Sequence, residues 1–289
     1  MKQQQTVVYT RGLSAVFSAV DWMLRTRMPH KPKLGQNFLI DHAASLAIVE
    51  ALGDISNRTV VEIGPGHGVI TGLLAARCAR LICIELDSSL VKALRFHFRD
   101  QSHVEIVEAD VLKADLAALI APAEKISIAG NLPYYITSDI LLKLFANVDR
   151  IDRAVLMVQS EVADRVSASP GVRDYGLLSA TTQMYARVQK LFTLPPEAFS
   201  PPPNVHSAVI RLDFAPRFDE LKVDAFGFDA FLKQCFAQKR KTLANNLRFA
   251  GHTAETLAAA WPQEIPPQAR AEAVPLEQMA ALYLALNSK

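Results

Sequence analysis

Short apolar runs alternate with helix-period segments between Thr59 and Phe214. Short, almost wholly apolar runs are typical of buried strands in a parallel sheet. These runs lie at 59–63, 81–85, 104–108, 126–129 and 154–158. Helical patterns separate them at 69–77, 88–98, 111–120 and 138–146, with Asp87 and Ser138 as expected N-caps. The alternation predicts a doubly wound, Rossmann-like α/β sheet.

The pattern changes after residue 187. Two further strand-like runs, 188–194 and 207–214, are joined by a proline-rich loop without a helix, so we expect an antiparallel strand pair at the end of the sheet. Residues 215–220 predict a linker, which places a domain boundary after Phe214. Beyond it, helical patterns broken by Gly and Pro predict a small all-helical domain, with helices at 224–250, 253–261 and 275–287.

Composition supports a globular protein with a sizeable core. The chain has 289 residues, of which 50% are hydrophobic and 21% charged, which excludes a disordered chain. The cysteines Cys78, Cys83 and Cys235 show no metal-binding spacing, so we expect a reducing cytosol and no structural metal. No apolar run approaches the ~18 residues of a membrane span, and the apolar stretch at 13–20 lacks a cleavage site. We expect a cytoplasmic monomer without a membrane partner.

Charge is distributed unevenly, although the net charge is only +2. Residues 1–36 hold six basic side chains and one acid, and residues 231–252 hold five basic side chains and none. A phosphate-backbone footprint has this asymmetry, and so does an ordinary solvated helix face. An amphipathic helix is expected over 13–24.

A glycine loop follows the first predicted strand, with Gly64, Gly66 and Gly68 before a helix. Glycines there allow a tight turn and a close approach to a ligand. A dinucleotide fingerprint would need glycine where this chain has Val69, and the observed spacing looks like the loop of S-adenosylmethionine enzymes. Glu85, which ends the next strand, could accept hydrogen bonds from ribose hydroxyls and therefore suits NAD or S-adenosylmethionine equally.

Asp110 lies just after the third predicted strand. Its carboxylate could meet an exocyclic adenine amine at the edge of the sheet, which an NAD enzyme does not require. The same side chain could instead serve as a helix N-cap before Val111, and one carboxylate can fill both roles.

The peptide Asn131-Leu132-Pro133-Tyr134 follows the fourth predicted strand. Adenine N6 is a poor nucleophile because its lone pair is delocalised into the ring. The Asn131 side-chain oxygen and the Leu132 carbonyl could accept its two N–H bonds and aim the lone pair at an electrophilic methyl, while Pro133 fixes the loop and Tyr134 offers a stacking face. In isolation such a peptide is more often a turn with a core tyrosine. Its position after a strand, beside a glycine loop, favours the chemical interpretation.

Taken together, these motifs resemble the ribosomal RNA adenine N6-dimethyltransferases, and among them most closely the bacterial small-subunit (16S) dimethyladenosine transferases. The resemblance covers about residues 29–287. It rests on the peptide just described and on four further segments: the loop from Glu62 to Gly66, Lys33-Leu-Gly-Gln-Asn-Phe-Leu39, Phe199-Ser-Pro-Pro-Pro-Asn-Val205 and Gln238-Lys-Arg-Lys-Thr-Leu243.

The resemblance implies a methyltransferase domain at 29–214 that uses S-adenosylmethionine and no metal, and an RNA- or subunit-binding domain at 215–289. It implies two methyl transfers to each of two adjacent adenosines near the 3′ end of small-subunit rRNA in a partly assembled subunit. The implied catalytic residues are Asn131, Leu132, Pro133, Tyr134 and Phe199, the two aromatic rings sandwiching a flipped adenine. The implied cofactor contacts are Asn37, Leu39, Gly64, Glu85, Asp110 and Asn131.

Two departures from the family pattern stand out. His206 replaces the acid usual in Val-Asp-Ser after the proline loop, which puts any role of that acid in doubt. Residues 1–28 have no counterpart in the family, and Met28 is a candidate start. Three other functions are alternatives: a large-subunit rRNA methylase, a catalytically idle assembly factor and an NAD-dependent dehydrogenase. Val69 argues against the last, while retention of Glu85, Asp110 and Asn131 argues against an idle factor.

Overall fold

The computed structural model describes residues 36–123 and 125–288, which form two compact units. The first comprises the described residues up to Ala163 together with Gln189–Phe214. The second comprises Asp164–Val188 and the described residues from Ala215 onward. The second unit thus takes in residues 164–188 as well as the C-terminal segment. The helix expected over 13–24 and the basic stretch up to Lys33 lie outside the described residues.

One mixed sheet forms the centre of the first unit. In chain order the strands are β1 Phe38–Leu39, β2 Thr59–Ile63, β3 Arg80–Glu85, β4 Val104–Glu108, β5 Ile126–Asn131, β6 Ile151–Gln159, β7 Ala186–Leu194, β8 Phe199–Ser200 and β9 Ser207–Phe214. Among the described residues, the main sheet has the order β4-β3-β2-β5-β6-β9-β7. The β4-β3-β2-β5-β6 part is parallel, and β9 is antiparallel to β6. The predicted fold class is confirmed.

The order of the strands creates a crevice at one edge of the sheet. From β2 the chain builds outward through β3 and β4, then returns to β5 on the other side of β2. Ile63 at the end of β2 is in register with Ile84 on one side and Gly130 on the other. Open α/β sheets bind ligands beyond the carboxyl ends of the strands at such a reversal. The loops after β2 and β5 therefore flank the expected binding position.

Helices lie between the parallel strands of the first unit and form most of the second unit. In chain order they are α1 His42–Ala51, α2 Val69–Ala75, α3 Ser88–His97, α4 Leu116–Ile120, α5 Thr137–Phe145, α6 Ser160–Ser167, α7 Leu177–Tyr185, α8 Phe218–Leu221, α9 Ala225–Cys235, α10 Leu243–Phe249, α11 Ala254–Ala260 and α12 Leu276–Asn287. Buried side chains such as Leu74, Leu81 and Val155 form the core of the first unit. None of the helices in the described part of the chain is long and apolar enough to span a membrane.

The second unit has its own hydrophobic core, which Phe228, Phe231, Leu247 and Leu282 help to form. Phe228 and Phe231 stack with their ring centroids 6.1 Å apart, and Tyr283 of α12 packs on both rings. An apolar core without β-structure between α9 and α12 agrees with the helical pattern of the sequence.

Several element boundaries differ from the predictions. Asp87 caps α3, as predicted, by accepting from the Ser89 amide at 2.9 Å. Ser138 is not an N-cap, because α5 already begins at Thr137. The helix predicted over 111–120 is reduced to α4, which Asp115 caps. Asp110 is therefore not a helix cap, although it closes a turn by accepting from the Leu112 amide at 2.9 Å.

The helix predicted over 224–250 is two helices. α9 ends at Cys235, and α10 begins only after Thr242, whose side chain accepts from the Asn245 amide at 3.3 Å. From Gln238 to Thr242 the connection has no apolar side chain, so it cannot continue the buried stripe of a helix. This run forms a loop that carries Lys239, Arg240 and Lys241.

Candidate active site

A cleft lies at the reversal point, beyond the carboxyl ends of β2, β3, β4 and β5. The cleft has a cavity volume of about 100 Å³. Its lining comes from residues 36–38, from the glycine loop, and from 84–86, 109–111 and 131–136. Eight of the predicted site residues line it together: Asn37, Gly64, Glu85, Asp110, Asn131, Leu132, Pro133 and Tyr134.

The glycines of the loop have positive φ angles, which other residues rarely adopt, and Gly66 also lies very close to Phe38. Gly66 has φ +57°, and a Cβ on it would lie 2.9 Å from Cδ1 of Phe38. The next glycine, Gly68, occupies the N-cap position of α2 with φ +82°. Gly64 lines the cleft itself, and its amide donates to the Ile84 carbonyl at 3.0 Å. The loop therefore presents backbone, not side chains, to anything bound in this part of the cleft.

Glu85 is buried at the end of β3 and is held by backbone amides. Its Oε1 accepts from the amides of Leu86 at 2.8 Å and Asp87 at 2.9 Å, and its Oε2 accepts from Gly66 at 3.2 Å. Burial raises the pKa of this carboxyl, and the amide hydrogen bonds oppose that rise. A carboxylate offers about four acceptor positions, so roughly one remains for a hydroxyl group in the cleft, on the same oxygen that Gly66 contacts.

Asp110 also lines the cleft, two residues beyond the end of β4. Its Oδ1 closes the local turn, while Oδ2 lies 3.9 Å from Nζ of Lys113. The side chain can accept a further hydrogen bond from a donor in the cleft. Glu85 and Asp110 thus place two acidic acceptors in the cleft, which fits one hydroxyl group and one exocyclic amine as their donors.

Asn131 ends β5 and is tied to the segment before β1. Its Nδ2 donates to the backbone carbonyl of Asn37 at 2.8 Å. This hydrogen bond uses one N–H of the amide and fixes its orientation, so Oδ1 can act as an acceptor beside the second N–H. Gly130, directly before it, must be glycine because a Cβ there would lie 2.7 Å from the Ile63 carbonyl of the neighbouring strand.

The residues after Asn131 are fixed by hydrogen bonds at both ends of the peptide. The Leu132 amide donates to the Met157 carbonyl at 3.0 Å, and Thr137 donates its hydroxyl to the Pro133 carbonyl at 3.1 Å. The Tyr134 hydroxyl lies 2.6 Å from Oγ of Ser207 at the start of β9. Burial raises the pKa of Tyr134, so the phenol is neutral at physiological pH. Sequence patterns carried no signal for this contact, which ties the end of the proline loop to the cleft beside His206.

Leu39 and Phe199 do not line this cleft. They face each other in an antiparallel ribbon formed by β1 and β8, and both are core residues, with exposed fractions of 4% and 2%. The Ile40 amide extends the ribbon by donating to the Ala198 carbonyl at 2.8 Å. Neither β1 nor β8 was predicted from the sequence, because a two-residue strand has no period to detect.

Glu62 is an ionisable residue for which the sequence predicted no role. It is 1% exposed on β2 and lines a smaller pocket behind the glycine loop with Leu39 and His67. Burial raises its pKa to about 7, although a hydrogen bond from the Cys83 thiol, at 3.6 Å, opposes that rise. The sequence did contain a signal for a role of Glu62, because this residue occupies the acidic position just before the glycines of the loop motif.

The cleft fits an adenosine-containing cofactor better than a metal. Its polar side chains are two carboxylates, three amides and two tyrosines, and within the described ranges no group of three or more His, Cys, Asp or Glu side chains could hold a metal ion. The sheet differs from a purely parallel dinucleotide-binding sheet in the direction of β9, which is antiparallel to β6. Fold and site together define a Rossmann-like methyltransferase, for which S-adenosylmethionine is the fitting cofactor.

Comparison with known proteins identifies the family. Residues 28–288 match the family model described as ribosomal RNA adenine dimethylase. The chain is 56% identical over 261 residues to ribosomal RNA small subunit methyltransferase A of Acidobacterium capsulatum, with 90% of this chain and 92% of that protein covered. The protein of the same name from Geobacter metallireducens is 40% identical, with 88% and 94% covered. The chain belongs to the ribosomal RNA adenine dimethylase family and is an S-adenosylmethionine-dependent rRNA methyltransferase.

Solved structures give the same fold. A dimethyladenosine transferase from Plasmodium falciparum superposes with a TM-score of 0.72 at 24% identity and covers 86% of this chain and 97% of its own. The 23S rRNA methyltransferase ErmE superposes with a TM-score of 0.67 at 25% identity and covers 87% and 100%. Both matches extend over most of the chain, so the likeness includes more than the central sheet.

Proposed function

We propose that this protein dimethylates N6 of two adjacent adenosines near the 3′ end of small-subunit (16S) rRNA, acting as a cytoplasmic monomer on a partly assembled small subunit. The observation that carries the proposal is the oriented amide of Asn131. It stands at the strand reversal in the same cleft as Glu85 and Asp110. An acceptor held in this way suits an exocyclic amine as the group to be methylated.

Cofactor binding is proposed for the acidic and glycine-lined part of the cleft. Glu85 accepts a ribose hydroxyl, and Asp110 accepts from the adenine amine of the cofactor. Gly64 admits the cofactor close to the backbone, while Asn37 and Leu39 position the segment that closes over it. When bound, S-adenosylmethionine supplies an activated sulfonium methyl group, so the protein needs to position the acceptor and not to activate the donor.

Asn131 and Leu132 are proposed to bind the target amine. Oδ1 of Asn131 and the backbone carbonyl of Leu132 accept the two N6–H bonds and favour a nitrogen whose lone pair points out of the ring plane. Pro133 fixes the path of the backbone, and Tyr134 stacks on the flipped base. Donation from Nδ2 to Asn37 supports this role because it leaves the acceptor atom of the amide for the substrate.

Phe199 is proposed as the second stacking face. The ring is 2% exposed in this structure and packs in the core. A base can therefore contact it only if the β1–β8 ribbon changes position. Since β1 follows directly on Asn37, a movement of this ribbon would be felt in the cofactor cleft as well.

Small-subunit rRNA is favoured over large-subunit rRNA as the substrate. The relatives at 56% and 40% identity are named as small-subunit enzymes, whereas the large-subunit enzyme ErmE is 25% identical. The test is incubation of the protein with labelled S-adenosylmethionine and, separately, unmodified small subunits, large subunits and free rRNA. We expect label in small subunits, and preferential labelling of large-subunit rRNA would overturn the assignment.

A further inference from the structure

Two phenylalanines of the second unit are almost fully exposed. Phe226 in the first turn of α9 has an exposed fraction of 89%, and Phe249 at the end of α10 has 77%. Single exposed apolar residues are common on protein surfaces and need no explanation by themselves. The surroundings of the two rings differ, however, and that difference is informative.

Phe249 lies on a polar, cationic face of α10. Asn245, Arg248 and Phe249 are exposed, while Leu243, Asn246 and Leu247 are buried. Positions three and four residues apart lie side by side on a helix, so the amide, the guanidinium and the ring form one surface. The end of the helix is fixed, because Gly251 has φ +105° and the His252 amide donates to the Leu247 carbonyl at 3.1 Å.

The loop between α9 and α10 presents three more cations, Lys239, Arg240 and Lys241, all exposed. The buried Asn246 of α10 fixes this loop. Its Nδ2 donates to the carbonyls of Cys235 at 2.7 Å and Gln238 at 3.3 Å, and its Oδ1 accepts from the Gln238 amide at 3.1 Å. The basic loop and the α10 face are therefore parts of one hydrogen-bonded structure.

Charge distinguishes this surface from the surroundings of Phe226. Residues 236–252 contain no acid. Glu255 of α11 is near enough for Arg248 to contribute to its lowered pKa, after hydrogen bonds with its own backbone and Thr253. Phe226, in contrast, stands beside Asp224, whose carboxylate caps α9 and accepts from the Tyr283 hydroxyl.

We infer that Phe249 is a stacking platform for an unpaired rRNA base, with Arg248 and the basic loop holding the adjoining phosphates. Single-stranded nucleic acid is recognised by this combination of an exposed aromatic face and fixed cations. A protein partner would have to match four cations with acids, whereas an RNA chain supplies the negative charge at every nucleotide. The inference rests on the proposed function, which makes rRNA the substrate.

The test compares Phe249→Ala with the matched variant Phe226→Ala in binding to unmethylated small subunits and to protein-free small-subunit rRNA. Stacking is worth ~1–3 kcal/mol per base, so we expect Phe249→Ala to weaken both affinities about fivefold or more. The dependence of affinity on salt should not change, because no charge is removed. Phe249→Trp should retain affinity, and Phe226→Ala should behave as the parent does. Circular dichroism melting curves establish that each variant is folded.

Equal affinities of Phe249→Ala and the parent would overturn the inference. A loss confined to whole subunits, with binding to protein-free rRNA unchanged, would also overturn it, because the ring would then contact a ribosomal protein. Failure of the proposed function gives a different result: the parent chain itself would transfer no methyl groups to small subunits. In that case the inference falls with the proposed function.

Discussion

The side-chain amide of Asn131 donates to the backbone carbonyl of Asn37 at 2.8 Å, and this hydrogen bond joins positions 94 residues apart in the chain. It connects the end of β5, where the target amine is proposed to bind, with the segment proposed to close over the cofactor. The same hydrogen bond determines which atom of the amide faces the substrate. The relationship makes Asn131 the most informative residue for mutation.

Asn131→Ala should lower methyl transfer by ~10²-fold or more, the effect of removing a positioned polar group from a transition state. Binding of small subunits should stay near that of the parent, because Asn131 lies in no basic patch. Single-turnover methylation measured beside subunit binding checks both. Asn147→Ala, which removes a different side-chain amide that donates to the Lys143 carbonyl outside the cleft, is the control. Near-parental methylation rates for Asn131→Ala would show that residues 131–134 form a turn without a catalytic role.

Glu85→Ala should weaken S-adenosylmethionine binding roughly tenfold or more, since a charge-assisted hydrogen bond contributes ~1.5–3 kcal/mol. The loss includes the organisation of the Gly66, Leu86 and Asp87 amides that the carboxylate holds. Titration calorimetry measures the dissociation constant. Glu108→Ala provides a matched control, because Glu108 is the in-register neighbour of Glu85 on β4 and is exposed. Equal affinities of the two variants would contradict the cofactor assignment.

Tyr134→Phe should keep most of the activity, because the ring remains and only the hydrogen bond to Ser207 is removed. Its removal should cost about 0.5–1.5 kcal/mol of unfolding free energy. Tyr134→Ala should lower methyl transfer further while sparing S-adenosylmethionine affinity, since the stacking face is gone. Thermal melting and single-turnover rates distinguish the two effects. If both variants lose the same activity, the hydroxyl matters and not the ring.

Glu62→Gln should change how stability depends on pH. Burial raises the pKa of Glu62 from 4.5 to about 7, so between these values the folded protein holds a proton that the unfolded chain has released. The unfolding free energy of the parent should therefore fall as pH rises from about 4.5 to about 7, by on the order of 3 kcal/mol. Glu62→Gln should lack this component and be the more stable protein at pH 8.

Urea unfolding of the cofactor-free protein between pH 4.5 and 8 measures this difference. Glu50→Gln, at an exposed position on α1, should leave the parental pH dependence unchanged. Parallel curves for Glu62→Gln and the parent would show that the buried carboxyl does not titrate in this range.

Neutralising Lys239, Arg240 and Lys241 to Gln should lower rRNA affinity and flatten its salt dependence by up to ~0.7–0.9 log units for each phosphate that the loop no longer neutralises. Binding of S-adenosylmethionine should be unaffected. A filter-binding series over salt concentration gives the slope. Replacing three exposed cations elsewhere removes the same charge and serves as the control: Lys92, Arg99 and Arg150. If rRNA affinity depends on salt equally in the two triple variants, the basic loop is an ordinary solvated surface that contacts no phosphates.

The sequence predicted the parallel sheet well because each buried strand is a nearly continuous apolar run, as at Thr59–Ile63. It also brought the cleft residues together correctly, since the carboxyl ends of parallel strands meet at one edge of the sheet. The predicted helix boundaries were wrong where a single polar residue determines where a helix begins. Asp115, not Asp110, caps α4, and Thr242 starts α10 within what looked like one helix.

Tertiary contacts account for the features that no sequence pattern predicted. The burial of Phe199 depends on pairing between β1 and β8. In this pair Phe199 lies opposite Leu39, which is 160 residues earlier in the chain. The pKa of Glu62 depends on side chains that close over it from neighbouring elements, and no local pattern encodes that environment.

Nucleoside analysis of small-subunit rRNA, after reaction with the parent protein and with Asn131→Ala, tests the proposed adenosine dimethylation. Unmodified small subunits are incubated with S-adenosylmethionine, and the RNA is digested and mapped by mass spectrometry. We predict N6,N6-dimethyladenosine at two adjacent positions near the 3′ end with the parent and little or none with Asn131→Ala. A different methylated nucleoside, or equal dimethylation by the two proteins, would contradict the proposed function of the cleft and of Asn131.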